Sequence, residues 1–214
     1  MKRVGLLLAI VAALSLSLAS VALAGTFSNA RANSFNPVKV YRATLNPLNG
    51  SGARGYATLI LVGRRLTVVT QTTGLAPNQP HAQHIHGDFV GRNVWPPRSA
   101  DKNGDGLVST AEGKPFYGMI DVSLTTRGDT SPNSGLAVNR FPVAGPVGNL
   151  IYARTFNVSG KVARNLGKLV IVQHGIDLNH DGAYDGKARS SIDPSLPLEA
   201  TIPADCGTVN PVGR

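Results

Sequence analysis

Two histidines one residue apart, and a third far along the chain, form the pattern most able to do chemistry. His84 and His86 lie in HAQHIH, residues 81–86, and His174 closes the apolar run LVIVQH. In a β-strand, side chains two apart share a face, so His84 and His86 project side by side. Leu169, Val170, Ile171 and Val172 before His174 read as a buried strand. A distant strand delivering a third imidazole gives a nitrogen set suited to copper or zinc with one position left open. The alternative is a group of hydrogen-bonded core histidines. His81, at an odd offset from His84, faces the other side of a regular strand and is read as structural.

The second chemistry lies in two oxygen-rich loops. DKNGDGLVSTAE, residues 101–112, places Asp101, Asn103 and Asp105 at calcium-loop positions one, three and five. Gly106, Leu107 and Glu112 then supply the turn glycine, the backbone carbonyl and the bidentate carboxylate. Gly113-Lys114-Pro115 follows at once and reads as a helix breaker, which points to an inserted loop rather than a helix-loop-helix sensor. DLNHDGAYDG, from Asp177, repeats the pattern with Asn179, Asp181 and Asp185. Its position twelve is Ala188, so this second calcium loop is weaker unless Asp193 or another group substitutes. An Asx-rich turn without an ion is the alternative at both loops. His180, in a non-ligand slot of the second loop, reads as exposed.

Together the HxH pair, the distant strand histidine and Asp205-Cys206-Gly207 resemble the copper/zinc superoxide dismutases. Gly74-Leu75 followed by HAQHIHG is similar to the CHRD domain, a related secreted β-sandwich module. The resemblance runs over roughly residues 38–209 and implies an all-β, Greek-key β-sandwich of the superoxide dismutase-like type, here with calcium-loop insertions. It implies copper on His84, His86 and His174 and, in an active member, dismutation of superoxide by a cycling copper. The departures are as specific. Residues 87–173 hold no histidine, so the family's bridging histidine and zinc ligands are missing and no zinc is expected. Pro203 stands where the family has its substrate-guiding arginine, and Cys206 is the only cysteine, so the family's disulfide cannot form. These departures favour a metal-binding module, non-enzymatic or weakly active, over a copper-only dismutase. No hydrolase nucleophile motif is present.

The elements that must carry these groups read as short strands between turn signals: residues 38–45, 56–62, 66–71, 81–86, 117–125, 149–158, 166–174 and 198–203. Gly63-Arg64-Arg65 marks a hairpin, and only Gly160–Leu166 suggests a helix. Residues 1–24 carry Lys2 and Arg3, an apolar run and Ala22-Leu23-Ala24, a signal peptide ending in a cleavage triplet. An uncleaved anchor is the alternative. Residues 25–37 form a polar leader, 38–209 one domain, and 210–214 a tail.

Removing Lys2 and Arg3 leaves 19 basic and 12 acidic residues, a net charge of +7. The basic residues are scattered, without a dense run or interleaved aromatics, which argues against nucleic acid. They suit an anionic cell-envelope polymer or solubility alone. Cys206 is read as a structural thiol, with cross-linking of two chains as the alternative.

Overall fold

The computed structural model describes residues 36–91 and 93–213. Residues 1–24, read from sequence as a signal peptide, and most of the segment read as a leader lie outside the described residues. Among the described residues nine strands form one curled sheet in the order β5 (Met119–Ser123), β4 (Gln83–Gly87), β7 (Val170–His174), β8 (Pro203–Thr208), β1 (Val38–Pro47), β2 (Arg54–Val62), β3 (Arg65–Thr73) and β6 (Leu150–Asn157), with the short β9 (Asn210–Pro211) also pairing with β1. The all-β, sandwich-like expectation is met.

Alternation builds the first half. β1 (Val38–Pro47), β2 (Arg54–Val62) and β3 (Arg65–Thr73) bury nearly every second side chain. In β2, Ala57, Leu59 and Leu61 turn inward while Tyr56 and Ile60 are exposed. Gly63 makes the hairpin, adopting φ +60°, which glycine enters without steric penalty. β6 (Leu150–Asn157) pairs with β3 and completes this half.

The second half reads differently because both of its faces are covered. β4 (Gln83–Gly87), β7 (Val170–His174) and most of β8 (Pro203–Thr208) are buried at consecutive positions. β5 (Met119–Ser123) flanks β4. β1 joins the halves, pairing with β2 through Leu45 and then with β8 at Asn46 and Pro47. Ile85 and Ile171 pack inward with Leu59, Leu66 and Val68. Val170, Val172 and Cys206 turn outward to meet Tyr117 and Leu48. That outward face, roofed by long connections, carries His84 and His86.

Several element boundaries differ from expectation. The histidine strand begins at Gln83, so His81 precedes it and strand alternation does not orient its ring. Residues 198–203 are not a strand: Leu198–Thr201 form the short helix α3, and β8 starts at Pro203. Asn210–Pro211, placed in the tail, form β9 against Tyr41 and Arg42. The helix after Ser159 is present as α2 (Gly160–Asn165), capped by the Ser159 hydroxyl.

The largest correction is α1 (Thr110–Tyr117), which forms across Gly113-Lys114-Pro115. Ser109 and Glu112 make a reciprocal capping box that fixes its start. Pro115 removes one backbone donor, but its lost acceptor belongs to exposed Ala111, and the helix ends two residues later. Gly113 serves packing: a Cβ there would stand 2.4 Å from the Tyr117 ring, four residues on along the same face. No helix among the described residues is long and apolar enough to cross a membrane.

Candidate metal centre

Three strand positions and three connections build one site. His84 and His86 project from β4 and His174 ends β7, with ring centroids 5.2–6.0 Å apart pairwise. All three side chains are 3% exposed. Each donates one ring N–H to a backbone carbonyl: His84 Nε2 to Gly135 at 3.0 Å, His86 Nδ1 to Gly118 at 3.2 Å, His174 Nδ1 to Thr201 at 2.7 Å. Gly118 caps α1 and Thr201 ends α3, where helix carbonyls lack intrahelical partners. The third acceptor comes from the β5–β6 connection.

These donations fix each tautomer and leave His84 Nδ1, His86 Nε2 and His174 Nε2 as lone-pair nitrogens. None of the three has a hydrogen-bond partner, and all are buried. Buried polar atoms in native proteins are rarely left so, and each case needs an explanation. The three atoms lie within 4.8 Å of one another, and no other group of three or more His, Cys, Asp or Glu among the described residues meets this condition. Metal–imidazole bonds of about 2.0–2.1 Å place nitrogens on one tetrahedral ion about 3.4 Å apart, so small ring rotations bring these three onto one ion. The donor set therefore fits a metal.

Electrostatics keep the lone pairs available. Burial depresses all three rings: His84 well below the usual imidazole range, His86 to about 3 with His174 beside it adding to the effect, and His174 to about 4. Proton competition is therefore pushed below the ordinary imidazole range.

Aromatic rings close the surround. Phe141 meets His84 at 5.3 Å and Tyr117 meets His86 at 4.8 Å, both edge-to-face. The Tyr117 hydroxyl donates to the Thr110 carbonyl at 2.9 Å. A cavity of about 60 Å³ lies over the rings between Leu136 and Ile192. Arg140 and Arg154 secure the connection carrying Gly135, donating to carbonyls of Arg127, Asp129, Thr125 and Gly128. Sequence reasoning counted both arginines in the diffuse basic field; they are half-buried structural groups.

His81 stays outside the ligand set. Its ring is buried, with Nδ1 3.0 Å from the His174 carbonyl and Nε2 3.0 Å from that of Ala76. His180 is exposed at φ +62°. Cys206 is fully buried and its thiol is pushed up by burial, a core group rather than a surface cross-linker.

The two oxygen-rich loops share one backbone design. In the first, Asp101 accepts from Gly104 and Gly106 N–H, Asn103 from Asp105, and Asp105 from Leu107. Glu112 Oε1 reaches back to the N–H groups of Lys102 at 2.8 Å and Asn103 at 3.3 Å, holding the twelfth position against the second and third. In the second, Asp177 accepts from Asp181 and Gly182, Asn179 from Asp181, and Asp181 from Ala183. Position twelve is vacated by Ala188, but Glu199 of α3 reaches in: Oε1 accepts from Leu178 N–H, at loop position two, and Oε2 from Asp185 and Gly186. Glu199 is 3% exposed. Asp193, the substitute named from sequence, is instead half-buried and bonded to Ser195. Glu199 lies far from the loop in sequence, and no spacing rule points to it.

No family model matches this chain, and no curated protein matches it.

Proposed function

We propose that this chain is an exported metal-binding β-sandwich module, holding copper at His84, His86 and His174 and calcium at its two oxygen-rich loops. The observation that carries the copper reading is the convergence of three buried, unpartnered imidazole nitrogens whose tautomers are fixed by backbone carbonyls. When bound, the ion would supply a Lewis-acidic, redox-capable centre; the chain contributes neutral donors, fixed ring orientations and a buried, mostly apolar surround. The calcium reading is supported by the matching oxygen and amide pattern of both loops and by Glu112 and Glu199, which close them alike. An ion bound only by the folded state adds stability by mass action, which suits a chain with one cysteine and long connections. Export rests on the basic head, apolar run and Ala22-Leu23-Ala24 at the start of the chain.

The dismutase reading of the same site is disfavoured. Pro203 stands at the guiding-arginine position, and no charged side chain among the described residues lines the cavity above the rings. Metal analysis of refolded, dialysed protein beside a superoxide-consumption assay tests both readings. Copper retained with negligible superoxide consumption is expected; efficient consumption abolished by His86→Ala makes the enzyme reading correct.

A further inference from the structure

We propose that the His84/His86/His174 centre selects its ion by charge, taking copper(I) in preference to copper(II) and zinc(II). This rests on the copper reading above and concerns which ion the surround admits.

Three observations carry it. First, the donor set is neutral. Each ring gives its N–H to a carbonyl and keeps one lone pair, so no proton need leave a ring when an ion arrives and no ligand brings a negative charge. Second, the walls are neutral and mostly apolar. Ala82, Ile120, Leu136, Ile192 and Ala200 line the cavity with Thr110 and Thr201, whose hydroxyls are bonded to the Thr201 carbonyl and the Ser190 hydroxyl, and among the described residues no Asp, Glu, Lys or Arg joins them. Third, the carboxylates of the two helices beside the cavity are committed elsewhere, and Asp121 and Asp205, whose buried oxygens are unpartnered, are not among the residues that line it. Glu112 and Glu199 spend their oxygens on backbone N–H groups of the two loops.

The cost of transferring an ion from water into such a surround rises as the square of its charge. A doubly charged ion therefore loses about four times the solvation of a singly charged one, and here no anionic ligand offsets it. Three neutral imidazoles in an open site would otherwise favour copper(II), which leads the divalent affinity order. The uncharged wall reverses that preference. A divalent ion could recover part of the cost by drawing in an anion, but the cavity of about 60 Å³ between Leu136 and Ile192 restricts what can enter.

The test compares affinities rather than activity. The mature chain is titrated anaerobically with copper(I) against a copper(I)-specific chromophoric chelator, and separately with copper(II) and zinc(II) against divalent chelators. We expect copper(I) to bind at least a hundredfold more tightly than either divalent ion. Ile192→Glu and Leu136→Glu place a carboxylate at the cavity mouth from two different connections, at side chains 45% and 41% exposed that tolerate the change. Each is expected to narrow the gap at least tenfold by strengthening the divalent ions. Copper(II) or zinc(II) bound as tightly as copper(I), or a gap unmoved by both variants, overturns the charge selection while leaving the metal centre standing. Binding of none of the three ions overturns the centre itself, and the selection with it.

Discussion

Acid should unfold the metal-free protein over a window set by its buried histidines. His84, His86 and His174 are neutral in the fold because burial holds their pKa values far below 6.5, His86 at about 3 and His174 at about 4. The unfolded chain protonates them near 6.5. Between those limits the unfolded state binds more protons, so stability is complete above pH 6.5 and is lost as pH falls toward 4. One proton contributes about 1.4 kcal/mol per pH unit, so three histidines give about 4 kcal/mol per unit below pH 6. Against a total stability on the order of 5–15 kcal/mol, the fall from pH 7 to pH 5 removes a large share. Urea unfolding in the presence of chelator, followed by fluorescence of Trp95, the only tryptophan, measures this at pH 7, 6 and 5. His86→Gln should remove one of the three protons and reduce the slope by about 1.4 kcal/mol per pH unit. Parent and variant stabilities that fall in parallel with pH, or a parent flat between pH 7 and 5, would refute the claim that these rings are buried and neutral. His81, also depressed by burial, adds to both slopes equally and cancels in the comparison.

Other outcomes follow from the same geometry. Gly118→Ala should lower the melting temperature and weaken copper retention together, because a Cβ at φ +84° would stand 2.4 Å from the Gly87 backbone and displace the carbonyl that fixes His86. Calcium-dependent thermal stabilisation should shrink markedly in Glu112→Gln and in Glu199→Gln but barely in Asp193→Asn; a parent melting temperature unmoved by chelator would show both loops to be plain turns. N-terminal sequencing of exported material should begin at Gly25, and a start at Met1 would contradict the cleavage.

The strands were readable where one face meets solvent. Residues 56–62 and 66–71 alternate, and the sheet they form differs from expectation only at its ends. The convergence of the three histidines was readable too, because the spacing of two on β4 and the apolar run before His174 place them on buried strands. What escaped were groups whose roles depend on contacts across the fold. Gly113-Lys114-Pro115 reads as a breaker in any local window; the capping box at Ser109 and the packing of Tyr117 against Gly113 override it. Glu199 and the carbonyls of Gly118, Gly135 and Thr201 carry no local signature. Each acts on a residue brought near only by the closed sandwich. The same holds for Arg140 and Arg154, whose charge was visible but whose carbonyl partners were not.

The most direct measurement compares copper retention by the parent, His174→Ala and His180→Ala after loading under reducing conditions and dialysis. His174 ends β7 with its Nε2 facing His84 and His86, whereas His180 stands exposed in the second loop. Parent and His180→Ala are expected to keep a single copper per chain, and His174→Ala to lose most of it. Equal retention by His174→Ala and the parent would mean that the three histidines do not form one site.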